Sequence, residues 1–136
     1  MSREALLQRI HDRTARIGVI GMGYVGLPLA VEFGRAGYRV LGVDPQVKKV
    51  DQLNAGQSYI PDVPTGVLAP LVREGRLSAT TEYAPLREMD AVLICVPTPL
   101  RKTKDPDMSF IYAATESLAP FMHRDMIVVL ESTTYP

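Results

Sequence analysis

The chain has 136 residues, one cysteine, and fifteen basic side chains balanced by fifteen acidic ones. That length fits a single domain with one real core, and 46% apolar with 22% charged residues is too apolar for a disordered chain. Zero net charge argues against a nucleic acid or anionic membrane as partner, no apolar run approaches the ~20 residues of a membrane span, and one cysteine makes neither an internal disulfide nor a zinc cage. Residues 1–16 lack the apolar core of a signal peptide. The expectation is a soluble, cytoplasmic, single-domain protein without a metal.

Residues 3–13 read as a short amphipathic helix capped by Ser2, with Leu6, Leu7 and Ile10 on one face. Residues 16–21 (RIGVIG) form a short β-branched run of the kind found in strands buried on both faces. A helical pattern follows Gly26, with Val25, Leu29, Ala30 and Phe33 on one side and Gly37 closing it. Pro28 falls near its first turn, where a missing N–H costs least. Residues 38–43 give a second apolar strand, ending at Asp44 and completing one βαβ unit.

The pattern then repeats more loosely. Residues 46–54 suggest a helix stopped by Gly56, with Val47, Val50 and Leu53 turned inward. A helix around 65–74 ends at Gly75, with Pro70 interrupting it. Residues 77–81 read as a short strand and 91–96 (AVLICV) as a buried one, followed by a proline-rich loop over 97–106. Ser109 can cap a helix carrying Phe110, Ile111, Ala114 and Leu118, and 126–130 (MIVVL) is the last strand. Alternating helices and apolar strands predict an α/β fold, a Rossmann-type doubly wound parallel sheet of order 3-2-1-4-5. A full domain of this type has a sixth strand, so the sheet reads as truncated after the fifth. The expected division is an N-terminal helix over 1–15 and an incomplete nucleotide-binding domain over 16–136.

Gly21-Met22-Gly23-Tyr24-Val25-Gly26 matches G-x-G-x-x-G in the context that gives it meaning: strand before, helix after, acid at the end of the next strand. Gly21 permits the tight turn, Gly23 lets backbone approach a pyrophosphate, and Gly26 allows close helix–strand packing. Free N–H groups and the helix dipole then face the phosphates. Asp44 is placed to accept hydrogen bonds from the adenosine ribose hydroxyls, and its charge opposes a 2′-phosphate. NAD is thus favoured over NADP. Other strand ends carry Thr80-Thr81, read as turn residues, and Thr98 and Thr133, read as ligand-facing.

The stretches GVIGMGYVGLPLA, GVDPQVKKVDQLNAGQSYIPDV, AVLICVPTPL…DPDMSF and VVLESTTYP together resemble the UDP-sugar 6-dehydrogenases over nearly the whole chain from Arg16. The combination looks most like the UDP-N-acetylglucosamine/UDP-N-acetylmannosamine branch, with UDP-glucose 6-dehydrogenase more distant. The resemblance implies an N-terminal NAD-binding domain of an enzyme that oxidises the sugar C6 alcohol to a carboxylate with two NAD. A cysteine thiolate of the C-terminal half captures the intermediate aldehyde as a thioester. The central helix and the UDP-sugar-binding domain, with that cysteine, are expected to be absent from this stretch, and the parent to be a homo-oligomer in polysaccharide biosynthesis. Carried over, the NAD contacts are Gly21, Met22, Gly23, Tyr24, Val25, Gly26, Asp44, Lys49, Thr98 and Thr133. Thr133, in the S-T motif, would also lie by the nicotinamide and help to hold a catalytic water. Pro70 departs from the family pattern, away from any proposed site.

Cys95, inside an apolar strand, reads as core filler rather than nucleophile. His11 and His123 lack a Ser or Cys partner motif and read as surface or helix-end residues. Arg101, Lys102 and Lys104, followed by Asp105 and Asp107, read as a solvated, mobile loop rather than a phosphate site. Two other functions compete: a standalone NAD-binding or regulatory module without catalysis, and a different NAD dehydrogenase, such as a 3-hydroxyacid enzyme. The SYIPD and STTYP segments speak against the latter.

Overall fold

The computed structural model describes residues 2–131. Five parallel strands, β1 (Arg16–Ile20), β2 (Arg39–Val43), β3 (Leu77–Thr80), β4 (Ala91–Ile94) and β5 (Ile127–Leu130), form one sheet of order β3-β2-β1-β4-β5. This is the expected order, and it brings the C-terminal ends of β1, β2 and β4 together. The helices are α1 (Arg3–Asp12), α2 (Gly26–Arg35), α3 (Val47–Asn54), α4 (Thr65–Arg73) and α5 (Ser109–Leu118).

Because side chains alternate along each strand, the sheet feeds two cores. Ile17 and Val19 of β1 join Leu27, Val40, Leu53, Leu68 and Leu77 on the side of α2, α3 and α4. Ile20 joins Val43, Leu86, Val92, Ile94 and Leu118 on the side of α5. Pro70 does not break α4, since the chain stays helical through it. The only donor it removes is the one that would reach Gly66, in the first turns of the helix. Helices α2, α3 and α4 are each followed by a glycine of positive φ, Gly37, Gly56 and Gly75, at the stops read from the sequence.

Several side chains face elsewhere than their pattern suggests. Val47 is 61% exposed, because it opens α3 before the helix has turned onto the sheet, whereas Val50 and Leu53 are buried. Val25 precedes α2 and is likewise exposed, and Leu7 and Phe110 point outward beside the buried Leu6 and Ile111. Ser109 does not cap α5: it is the first helical residue, and its N–H donates to Asp107 Oδ1 at 3.0 Å. Ile127, Val128 and Leu130 of β5 are exposed, since an edge strand has a neighbour on one side only and no described element covers its outer half.

The 97–108 loop is mostly exposed, as a solvated loop would be. It closes on itself through Arg101 N–H to the Asp105 carbonyl (2.8 Å), Asp107 N–H to the Pro99 carbonyl (2.7 Å) and an Arg101–Asp107 ion pair (3.4 Å). Hydrogen bonds from Ser109, with Arg101 adding to them, hold the Asp107 carboxyl below its usual range.

Candidate functional site

The glycine loop leaves β1 in a left-handed turn. Gly21 has φ +91°, and a Cβ there would stand 2.8 Å from the Cys95 carbonyl oxygen, so only glycine fits both the torsion and the space. Gly26 starts α2 so close to the strand that a Cβ would overlap the Gly21 carbonyl. Gly23 differs: a Cβ there would meet nothing within 4 Å. The space above Gly23 is therefore open, as a site approached by a phosphate requires.

Met22 anchors the loop. Its side chain is 1% exposed and packs so tightly over Gly42 that a Cβ on that glycine would lie 2.6 Å from the Met22 sulfur. Its N–H donates to Asp44 Oδ2 at 3.0 Å, and its carbonyl accepts from the Tyr59 hydroxyl at 2.5 Å. Among the described residues, the N–H groups of Gly23, Tyr24 and Val25 donate to no protein acceptor. Three unsatisfied donors at a helix start are the kind of group that suits an anion.

Asp44 ends β2 and is 5% exposed. Its two oxygens accept from Met22 N–H and from Gln46 N–H (2.9 Å), and it forms no ion pair among the described residues. A carboxylate offers about four lone-pair sites, so acceptor capacity remains beyond the two backbone donors. Tyr59 and Tyr83 flank it: burial first, and then the charge of Asp44, push both phenols above their usual pKa, so they remain protonated donors. Lys49 is half-buried, with Nζ 5.8 Å from the centre of the Tyr59 ring.

The structure thus brings Gly21, Met22, Gly23, Tyr24, Val25, Gly26 and Asp44 together, with Lys49 joined through Tyr59. Thr98 is half-buried on the loop after β4. That loop begins next to the glycine loop, because Cys95 N–H continues the ladder to Ile20 at 2.7 Å. Thr133 lies outside the described residues. Thr80 plays a local part, its hydroxyl accepting from Glu82 N–H at 3.1 Å. Cys95 is buried, and burial together with the charge of Glu131 pushes its thiol up to about 11, which keeps it from acting as a thiolate at neutral pH. Among the described residues no group of three or more His, Cys, Asp or Glu side chains could hold a metal ion. No helix of the described residues is long and apolar enough to cross a membrane.

Sequence reasoning missed Tyr59, Tyr83 and Gln46. Tyr59 is 37 residues from its acceptor in a loop without a motif. Only its place in SYIPD, a segment quoted for the family resemblance, pointed to it.

Comparison with known proteins supplies the remaining observations. The profile of the UDP-glucose/GDP-mannose dehydrogenase family, NAD binding domain, matches residues 15–136. The chain is 44% identical over 119 residues to a UDP-N-acetyl-D-mannosamine dehydrogenase of Salmonella typhi, covering 87% of this chain and 28% of that protein. It is 45% identical over 120 residues to an NDP-N-acetyl-D-galactosaminuronic acid dehydrogenase of Ralstonia nicotianae, covering 87% of this chain and 27% of that one. Among solved structures, the UDP-D-ManNAc dehydrogenase of Pyrococcus horikoshii superposes with a TM-score of 0.83 at 36% identity, over 89% of this chain and 29% of the other. The chain therefore spans somewhat over a quarter of the length of the relatives it matches.

Proposed function

Because this chain belongs to the UDP-glucose/GDP-mannose dehydrogenase family, as its NAD-binding domain, we propose that the C-terminal end of its sheet binds NAD through residues 21–26, Asp44, Lys49, Thr98 and Thr133. The observation that carries this reading is the pairing of three N–H groups without a protein acceptor, beside open space at Gly23, with a buried carboxylate at the next strand end that has no ion pair among the described residues. The donors suit a pyrophosphate. The remaining lone pairs of Asp44 suit the ribose hydroxyls, and its charge opposes a 2′-phosphate. NAD supplies a hydride acceptor, and these residues do the holding and orienting. Thr133, in the S-T motif after β5, would position the nicotinamide and a water.

For the parent protein we propose oxidation of the C6 alcohol of a UDP-N-acetylhexosamine in the cytoplasm, in the service of polysaccharide synthesis, by a homo-oligomer. The similarity to dehydrogenases of N-acetylated nucleotide sugars favours this substrate over UDP-glucose. The 136-residue chain by itself is expected to bind and not to catalyse, because its one thiol is buried and protonated, and capture of an aldehyde needs a nucleophile within about 3–3.5 Å of the reacting carbon.

The test is a calorimetric titration with NAD and NADP, beside an absorbance assay with NAD and UDP-N-acetylglucosamine, UDP-N-acetylmannosamine or UDP-glucose. Saturable NAD binding at least ~10-fold tighter than NADP, a difference of about 1.4 kcal/mol, and no NADH are expected. Absence of NAD binding overturns the site. Steady NADH production lost in Cys95→Ser overturns the assignment of Cys95 to the core.

A further inference from the structure

The Met22–Gly23 peptide of the glycine loop has no backbone hydrogen-bond partner among the described residues. The Met22 N–H is held by Asp44 Oδ2 (3.0 Å), and the Gly23 carbonyl accepts from Leu27 N–H (3.1 Å) at the start of α2. Between these two points lies the Met22–Gly23 peptide, whose C=O and N–H belong to one rigid plane and point in opposite directions across a trans bond. Gly23 has no Cβ and open space above it, so nothing on the Gly23 side fixes that plane. Its sole protein partner among the described residues is the Tyr59 hydroxyl, 2.5 Å from the Met22 oxygen.

We infer that Tyr59 is a positioning residue for the pyrophosphate: by holding the Met22 carbonyl on one side, it aims the Gly23 N–H out of the other side toward the proposed phosphate site. The inference rests on the NAD-binding reading above. A hydrogen bond to the carbonyl also polarises the peptide, which makes the Gly23 N–H a stronger donor. Tyr59 is itself well fixed. Its loop is pinned by Ser58, whose N–H donates to Thr65 Oγ1 (3.1 Å) and whose hydroxyl bonds Ile60, while Ile60 and Val63 are buried and Lys49 lies over the ring. The chain thus links Lys49, expected among the NAD contacts, to the donor expected at the phosphates, through one phenol.

Tyr59→Phe removes the hydroxyl and keeps the ring under Lys49. Affinity for NAD and for ADP should fall roughly 3- to 10-fold, the worth of one hydrogen bond, whereas affinity for adenosine, which has no phosphate, should not change. In the free variant the Gly23 amide resonance should move, with little change in Tm. Equal loss for adenosine and ADP, or no loss for either, overturns the inference. Should the variant fail to fold, the unaltered chain decides: ADP must shift the Gly23 amide resonance and adenosine must leave it in place, and an amide indifferent to ADP overturns it. Failure of the unaltered chain to bind NAD strikes instead at the proposed function, which separates the two claims.

Discussion

Two buried aspartates sit at opposite ends of the sheet, and they are satisfied in different ways. Asp90, 3% exposed just before β4, accepts from Arg16 N–H at 2.8 Å and pairs with the Arg9 guanidinium at 3.0 Å through the same oxygen. Its backbone continues the tie, with Asp90 N–H donating to the Arg16 carbonyl and its own carbonyl accepting from Ile127 N–H, both at 2.9 Å. It therefore joins α1, β1, β4 and β5. Asp44, 5% exposed after β2, has two backbone donors and, among the described residues, no cation. A buried carboxylate needs compensation. Asp90 receives it as an ion pair, and Asp44, with two backbone donors, retains spare lone pairs at the end of the sheet where the ligand is expected. One acid closes the structure, and the other is the one expected to bind.

The comparison breaks if the open end proves insensitive to obstruction. Gly23→Val places a branched side chain in space that nothing occupies, so NAD affinity should fall by more than ~100-fold, about 2.7 kcal/mol, while Tm changes little. Unchanged affinity, measured by titration beside a melting curve, would remove the loop from the site.

The two acids should separate in a crossed experiment. Asp44→Ala should weaken NAD by about 1–3 kcal/mol, the worth of hydrogen bonds to a charged group, and narrow the gap to NADP. Asp90→Ala should lower unfolding free energy by a similar ~1–3 kcal/mol, since Arg16 N–H loses its acceptor, and leave NAD affinity intact in the folded fraction. Denaturant melts and titrations on both variants check this, and an Asp90→Ala chain that folds normally but loses NAD would sink the division of labour.

A smaller effect belongs to the Asp90 end alone. The ring nitrogens of His123 lie 2.8 Å from the Arg124 carbonyl and 2.6 Å from the Met89 carbonyl, an arrangement only the imidazolium satisfies on both sides. These two bonds, and then the charges of Asp90 and Asp125, raise its pKa. A raised folded pKa means stability fully present below the unfolded value, ~6.5, and lost as pH rises through the folded one. Because the ring is exposed, the amount should stay under ~1 kcal/mol. Tm measured from pH 5.5 to 8.5 should decline slightly, His123→Gln should flatten that decline, and NAD affinity should not follow it.

Strand order was legible because each strand is a short apolar run and three helices stop at glycines, and both signals are local. The glycine loop and Asp44 were legible for the same reason, being a motif and a strand end at fixed spacing. What escaped was non-local or positional. The Tyr59–Met22 bond joins residues 37 apart, Val47 has the right periodicity but sits before the helix meets the sheet, and the exposure of β5 depends on what lies beside it rather than on its own residues. That Asp44 also braces the loop, by accepting from Met22 N–H, shows only in three dimensions.

The most direct test of the central claim maps NAD onto the backbone amides of the 136-residue chain by heteronuclear NMR. The resonances of Gly23, Tyr24, Val25 and Gln46 should move in a saturable way, while those of Arg16, Asp90 and Ile127 at the opposite end stay in place. Shifts centred on the Asp90 end, or none at residues 23–25 under saturating NAD, would contradict the account.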